Sequence, residues 1–471
     1  MILTMLVTLS LVAALMFVIQ GYRFNRLDGK VEQGGLLQYD SRPNGADVYV
    51  DTAHLGNKTA NKITVSSGSH TVRMTKAGYN DWSKDVTIKP GTILWLNYTR
   101  LIPKNKPIDT IATLSDVTSA LPAYNQKYIA FKDDPTTPSI SLASIDTDNP
   151  KIDKLALTEG TVTTPSDPKL QSYAIESWDN DNRYVLVRHS YDNDKSEWLV
   201  VDTHGDQPTI NVTTSMGVAV SHAEFTIASN RALYILTPTG ELRRVDLGAK
   251  TISAPIVANV AEFSQYDRST IAYVTKIDET TKKRTIGYMT NGAAKSRTLK
   301  TYADLGDTPL HLHIGRYFNQ TYVAVSYGET LDITKGDLPS SDSDAASALT
   351  QVATLTIPGG ATTLAYSPDT ERFVYARTAT SVYVYDLELN SLSATKLDST
   401  STYAMQWIDR EHFVTTTNGL AMYDFDGTNR QELTSGSMIL PAVISSNNKY
   451  MFAFTKDASG AHLRRIKLLV D

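Results

Sequence analysis

Most of the chain consists of short segments in which apolar and polar positions alternate, as expected of β strands with one buried face. Beyond the polar segment 104–107 one pattern recurs eight times: a turn, an apolar strand opened by a polar residue, a second turn and another strand. The opening strands read KYIAF (127–131), RYVLV (183–187), RALYIL (231–236), STIAYV (269–274), QTYVAV (320–325), RFVYA (372–376), EHFVTT (411–416) and KYMFAF (449–454). Successive units begin 38 to 56 residues apart. A repeat of about 40–50 residues with four short strands is typical of a β-propeller blade.

We therefore predict an all-β protein in which residues 104–471 form a propeller of seven or eight blades. The last unit ends after its third strand, and a strand at about 108–117 is expected to complete that blade and close the ring. The units resemble those of WD40-type and TolB-type propellers, as in Ser367-Pro368-Asp369 and in the turn that follows Asp424. The resemblance implies the architecture and no particular activity.

The N-terminal residues have a different pattern. From Ile2 to Ile19 there are 18 residues without a charge, enough for a helix about 27 Å long. We predict an uncleaved transmembrane anchor over 1–20 that contacts membrane lipid, followed by a juxtamembrane segment over 21–33. A cleaved signal peptide is the alternative, but the apolar run is longer than a typical signal core and no basic segment precedes it.

Residues 34–103 show five or so short alternating strands separated by turn formers, a pattern that favours a small β-sandwich. Here the chain resembles the PEGA domain, through Pro43-x-Gly45-Ala46, Gly68-x-His70-x-Val72, Gly78-Tyr79 and Trp82. Asn44 and Ala60 depart from that pattern, where glutamate and proline are usual. The resemblance implies a bacterial module with a binding or spacer role outside the membrane. Tyr79 and Trp82 are either an exposed contact for a ligand or, as we favour, part of the sandwich core.

Two observations predict opposite orientations of the chain in the membrane. Arg23, Arg26 and Lys30 follow the apolar run, and the positive-inside rule would keep the rest of the chain in the cytoplasm. The resemblance to an envelope module favours the opposite side, so we expect the bulk of the chain to be extracytoplasmic.

The amino-acid composition and the absence of certain motifs exclude several classes of activity and of binding partner. The net charge of -5 lacks the basic footprint that nucleic-acid binding requires. Without cysteine the chain has no disulfide, thiolate nucleophile or cysteine-ligated metal. No G-x-S-x-G elbow and no phosphate-binding glycine loop occurs in the required context.

Candidate chemistry is sparse. His311 and His313 lie two apart on a predicted strand and would project from one face, as a metal pair could, although no third ligand is visible. Acidic loops at 146–149, 179–182 and 192–194 could bind Ca²⁺, but Asp and Asn also start tight turns, and we favour the turns. We assign no catalytic, cofactor-binding or metal-ligating residue. A carboxylate pair in the propeller mouth has no local spacing by which a sequence could reveal it.

Two polar segments, 158–171 and 335–350, are expected to be surface insertions. Together these features favour a membrane-anchored binding or scaffold protein of the bacterial envelope, whose propeller contacts a protein or a wall polymer. The alternatives are a propeller hydrolase or lyase acting on polysaccharide, and a sensor or assembly subunit of a membrane complex.

Overall fold

The computed structural model describes residues 2–19, 22–25, 30–291, 295–303, 305–339, 348–369, 371–397, 405–415, 420–434 and 437–470. Its regular structure is mostly β strand, and the helices named here are α1 (Ile2–Ile19) and α2 (Val212–Met216). The chain divides into two compact units, one of residues 1–107, 428–433 and 467–471 and one of residues 108–427 and 434–466.

The N-terminal segment corrects one expectation. Helix α1 ends after 18 residues, about 27 Å of helix against roughly 30 Å of hydrocarbon core. In the part of the chain that the structure describes, no helix combines the length and apolarity needed to cross a membrane, so the predicted anchor at 1–20 is not supported. The segment expected to be juxtamembrane contains an antiparallel pair, β1 (Tyr22–Asn25) with β2 (Lys30–Gln33).

The small domain consists of two sheets packed face to face. One sheet has the strand order β6-β3-β9 and the other β5-β4-β7-β8. Their strands are β3 (Gly35–Arg42), β4 (Asp47–Val50), β5 (Ala53–His54), β6 (Asn61–Val65), β7 (Gly68–Thr75), β8 (Trp82–Ile88) and β9 (Ile93–Arg100). Alternate residues such as Leu37, Val48 and Val72 are fully buried, because strand side chains point to opposite faces in turn. Tyr79 and Trp82 are also buried, which confirms their core role.

The described residues of the second unit form eight antiparallel sheets, seven of four strands and one of five, and nearly all paired strands are neighbours in sequence. Blade 1 contains β11 (Ser119–Pro122), β12 (Tyr128–Lys132), β13 (Ser139–Ser144) and β14 (Ile152–Ala156), and blade 2 contains β15 (Gln171–Trp178), β16 (Tyr184–Tyr191), β17 (Lys195–Asp202) and β18 (Ile210–Asn211). Blade 3 contains β19 (His222–Thr226), β20 (Ser229–Leu236), β21 (Leu242–Asp246) and β22 (Thr251–Ile252), and blade 4 contains β23 (Val260–Gln265), β24 (Thr270–Thr275), β25 (Lys283–Thr290) and β26 (Arg297–Ala303).

Blade 5 contains β27 (Leu310–Tyr317), β28 (Gln320–Tyr327), β29 (Thr330–Gly336) and β30 (Leu349–Thr356). Blade 6 contains β31 (Thr363–Tyr366), β32 (Phe373–Arg377), β33 (Ser381–Asp386) and β34 (Ser391–Lys396), and blade 7 contains β35 (Met405–Trp407), β36 (His412–Thr415), β37 (Leu420–Asp424) and β38 (Gln431–Thr434). Blade 8 joins β39 (Ser437–Met438), β40 (Val443–Ile444), β41 (Tyr450–Asp457) and β42 (Gly460–Lys467) to β10 (Ile108–Leu114). The expected closing strand thus pairs with the last strand, with Ile108 opposite Ile466.

Closure of the ring is visible in its packing. The Phe131 ring of blade 1 lies 5.3 Å from the Phe454 ring of blade 8. Both rings belong to one buried cluster, and similar clusters join blades 1 through 6 in order. Because these clusters cover both faces of blades 1 to 5, the second strands of those blades read as continuous apolar runs rather than as alternating ones. Eight blades is therefore the arrangement, one of the two predicted numbers.

Of the two polar insertions, the structure describes 158–171 in full and 335–350 in part. Thr163 of segment 158–171 is tied to blade 2, because its N–H and hydroxyl donate to the buried Glu197 carboxylate. Of segment 335–350, residues 340–347 lie outside the described residues.

Candidate functional site in the propeller channel

The first strands of neighbouring blades contact one another, which places them around the propeller axis. On β27 the apolar residues Leu310 and Leu312 are buried, whereas His311 and His313 alternate with them on the other face. The sequence prediction that the two histidines share a face is therefore correct, and their strand is one of the inner strands of the ring.

Two glutamates from the preceding blades lie near these histidines. Glu262 of β23 accepts a hydrogen bond at 2.8 Å from Nδ1 of His311. Glu224 of β19 is held by Gln265, whose amide Nε2 donates to a Glu224 carboxylate oxygen at 3.3 Å and to the Phe225 carbonyl at 2.8 Å. We call Glu224, Glu262, His311 and His313 the channel cluster. It brings together residues from three consecutive blades.

The electrostatics of the cluster follow from its partial burial. Burial lowers the pKa of His313, while the carboxylates of Glu262 and Glu224 oppose that change and His311 adds to it. His313 is therefore neutral at pH 7, because its pKa begins near 6.5 in water and falls. The Nε2 atom of His311 is buried and has no hydrogen-bond partner among the described residues. Such an atom can serve as a hydrogen-bonding group for a ligand.

The arrangement of the cluster differs from that of a metal site in the described residues. Among the described residues no group of three or more His, Asp or Glu side chains is arranged to hold a metal ion. His311 instead uses Nδ1 to contact a carboxylate, an arrangement that orients the imidazole and its second nitrogen. The cluster can accept hydrogen bonds from hydroxyl and amine groups, and the Glu262–His311 pair has the geometry of an oriented acid–base group.

The acidic loops lie in turns. Asp179 Oδ1 accepts hydrogen bonds from the N–H groups of Arg183 and Tyr184 at 2.7 and 2.6 Å. Asp192 likewise accepts from the N–H and hydroxyl of Ser166, and Asp146 accepts from the N–H of Asn447. These carboxylates stabilise turns and link neighbouring loops, which is the turn chemistry expected of Asp.

The two glutamates were not singled out from the sequence, although a signal exists. Ala223-Glu224-Phe225 and Ala261-Glu262-Phe263 repeat the same three residues at the same place in two consecutive blades. In both, the aromatic residue is buried and the glutamate is only partly covered. An acid repeated at the same position of two consecutive inner strands is the signal that the sequence offered.

Comparison with known proteins identifies one module. The PEGA domain family matches residues 35–102, so the small sandwich is a PEGA domain. A comparison with curated proteins finds no match to the chain.

Among solved structures the chain is similar to an oligogalacturonate lyase in complex with manganese, at 10% identity over 76% of this chain and 99% of that chain, with a TM-score of 0.44. It is similar to the β-propeller domain of Cps50 (Swd1) from Myceliophteria thermophila, at 10% identity over 78% and 100% of the two chains, with a TM-score of 0.43. It is also similar to Saccharomyces cerevisiae Sqt1, at 9% identity over 77% and 98%, with a TM-score of 0.46.

Proposed function

We propose that this chain is an extracytoplasmic binding protein of the bacterial cell envelope, whose propeller holds a protein segment or a wall polymer at the channel cluster. The observation that carries the proposal is the juxtaposition of Glu224, Glu262, His311 and His313 on inner strands of three blades. A propeller channel is a concave site, and convergent polar groups in such a site give it specificity. The PEGA domain supports the envelope location, because such modules have binding or spacer roles there.

The ligand chemistry follows from the groups that line the cluster. Two carboxylates and two imidazoles accept hydrogen bonds from hydroxyl, amide and ammonium groups, all of which wall glycans and their peptides carry. The same carboxylates disfavour strongly anionic polymers, because like charges repel at short distance.

The test uses the full chain and purified envelope material. Binding of the wild-type chain to sedimented cell walls, and separately to solubilised envelope proteins, is expected to saturate. Glu262→Gln and His311→Asn should each weaken binding about tenfold, the effect of losing a hydrogen bond to a charged group. Glu279→Gln in the same blade is the matched control, since Glu279 is exposed and forms an exposed ion pair with Lys282. Unchanged binding by both site variants would refute the channel as the binding site.

Location is tested separately. Protease added to intact cells should digest the propeller, and fractionation should place the chain with the envelope. Protection in intact cells with digestion after lysis would contradict the extracytoplasmic assignment.

A second candidate is a hydrolase or lyase acting on polysaccharide. It is favoured specifically by the 2.8 Å contact between Glu262 and His311, whose other imidazole nitrogen has no hydrogen-bond partner in the described part of the chain, as an oriented general base requires. Incubation of wall glycans with the chain should then release new chain ends, and His311→Asn should abolish the release while His204→Asn, an exposed histidine elsewhere, should not. Saturable binding without any release of ends would exclude this candidate.

A further inference from the structure

A second cavity is lined by residues of blades 6 and 7, whereas the channel cluster belongs to blades 3 to 5. Its volume is about 350 Å³, within the range of ligand sites. Its lining includes Tyr366 of β31, Tyr375 of β32, and Gln406 and Trp407 of β35. We call it the blade 6–7 cleft.

The aromatic rings of the cleft are held in place by their neighbours. The rings of Tyr375 and Trp407 lie 5.7 Å apart at an angle of 52°. Phe373 and Phe413 also pack against Trp407, with ring centres 5.9 and 5.8 Å away. Tyr366 is fixed as well, because its hydroxyl donates to a backbone carbonyl of blade 5 at 3.1 Å. Rigid aromatic faces bind an apolar ring at low entropic cost.

Two oriented polar groups of the cleft are hydrogen-bond donors. Only 9% of the surface of Trp407 is exposed, and its indole N–H is buried without a hydrogen-bond partner among the described residues. Gln406 Oε1 accepts a hydrogen bond from the N–H of Ala442 at 2.8 Å, which leaves the amide NH₂ group as a donor. A buried donor without a partner is costly, so a ligand that supplies acceptors to these two groups would be favoured.

The ligand that suits this cleft has acceptors and few donors of its own. An N–H or O–H group that enters an aromatic cleft loses its water and is costly unless it finds an acceptor there. Proline has no backbone N–H, and the carbonyl groups of a polyproline II helix make no internal hydrogen bonds. Such carbonyls are free to accept from Trp407 and Gln406, while the proline rings supply flat apolar surface.

From these features we infer that the blade 6–7 cleft binds a proline-rich segment of a partner protein in the polyproline II conformation. The proline rings lie against Tyr375 and Trp407, and backbone carbonyls accept from the indole N–H and the Gln406 amide. Aromatic-lined grooves bind such segments well because the polyproline II helix is already formed and loses little entropy. Arg377 also lines the cleft, but it already interacts with other groups of the protein, so we assign it no ligand contact.

The site does not depend on the channel cluster, and synthetic peptides test it on the full chain. An octaproline peptide with blocked ends is compared with a blocked octapeptide of alternating glycine and serine, by isothermal titration calorimetry. The proline peptide should bind saturably and at least about tenfold more tightly, because only this peptide is preorganised and carries apolar rings. Methyl glucoside is the third probe, since aromatic rings with donors can also hold a sugar, and it should bind more weakly than the proline peptide.

Variants of the two donors test the hydrogen bonds. Trp407→Phe keeps an aromatic ring and removes the indole N–H. Gln406→Glu keeps an oxygen for the N–H of Ala442 and removes the NH₂ group. Each should weaken binding of the proline peptide about tenfold. Trp95→Phe is the matched control, since Trp95 lies in the small domain, is 39% exposed and does not line the cleft.

A pair of variants at Tyr375 tests the ring contact separately. Tyr375→Phe keeps the ring and should bind the proline peptide within about threefold of the wild type. Tyr375→Leu removes the ring and should weaken binding about tenfold. Thermal unfolding of each variant shows whether it is folded, and the milder Tyr375→Phe remains informative if Tyr375→Leu is not.

Three results would overturn the inference: no saturable binding of the proline peptide, equal or tighter binding of the glycine–serine peptide or the sugar, or full affinity in folded Trp407→Phe and Gln406→Glu. Weakened binding of the proline peptide in these two variants, with unchanged binding to sedimented cell walls, would confirm a site distinct from the channel.

Discussion

Nδ1 of His412 lies 2.8 Å from a carboxylate oxygen of Asp409, and the histidine is almost completely buried at the start of the second strand of blade 7. Burial alone would lower the pKa of His412, but Asp409 and Asp424 outweigh it and raise the pKa to about 9. A buried imidazolium is therefore part of the folded blade at neutral pH.

His412 makes stability depend on alkaline pH. In the unfolded chain its pKa is near 6.5, so its stabilising contribution is complete below that value and is lost as pH rises through about 9. The loss should amount to about 3 kcal/mol, measured by urea unfolding between pH 6 and pH 10. His412→Gln should be less stable at pH 6 and show a flatter pH dependence. Equal slopes in the variant and the wild type would contradict this role.

Blade 6 also has a buried ion pair, which is formed by an arginine and an aspartate. Arg372 donates to both carboxylate oxygens of Asp386, at 3.1 and 2.6 Å, and Asp386 is buried. Asp386→Ala should cost about 3–5 kcal/mol, because the arginine would keep a largely buried charge without its main partner. Asp369→Ala, which removes the exposed partner of Arg410, should cost less than about 1 kcal/mol. Similar losses in the two variants, measured by denaturant unfolding, would show that burial is not the cause.

Glu197 should hold the insertion at 158–171 against blade 2. Its buried carboxylate accepts hydrogen bonds from His189 at 2.8 Å, from Thr163, and from Asn211 at 2.7 Å. Glu197→Gln places an amide NH₂ against donors and should destabilise the protein by about 2–4 kcal/mol. Limited proteolysis should cut the variant within 158–171 first, whereas the exposed Glu159→Gln should be cut like the wild type.

Glu197 also predicts behaviour in acid. Burial opposes ionisation, yet hydrogen bonds from His189, Thr163 and Asn211 lower the pKa of Glu197 to about 2. Its contribution is therefore present above about pH 4.3 and is lost as pH falls through 2. In an acid titration followed by circular dichroism, the stability of Glu197→Gln should change less between about pH 4.3 and about pH 2 than the stability of the wild type does.

Gly315 should be irreplaceable for a steric reason. A Cβ atom on Gly315 would lie 2.7 Å from the ring of Tyr366, which is held in place by its hydrogen bond to Tyr322. Gly315→Ala should destabilise the protein by about 1–3 kcal/mol in thermal or denaturant unfolding. Gly56→Ala, where a Cβ would meet nothing within 4 Å, should change stability by no more than about 0.5 kcal/mol. A double variant with Tyr366→Leu should recover part of the loss if the contact is the cause.

Pairs between a cationic residue and an aspartate recur in three blades, and they show which features of the repeat can be predicted from the sequence. Arg183 and Arg372 directly precede second strands and His412 opens one, whereas third strands end with Asp202, Asp386 or Asp424. In blades 2 and 6 these ends form close ion pairs, and in blade 7 the His412 and Asp424 atoms lie 3.5 Å apart. The strands were predictable because their period-2 pattern is local. The pairing of their ends was not identified, because it depends on the register between strands.

The sequence by itself determined the PEGA-type sandwich, the repeating blades and the strand that closes the ring, because alternating hydrophobicity and turn residues act over a few neighbouring positions. Only the tertiary structure decided which polar residues meet. Glu224, Glu262 and His311 belong to three blades and are spread over 88 positions of the sequence. Sites of this kind form where the ring brings inner strands together, and no local spacing in the chain records that geometry.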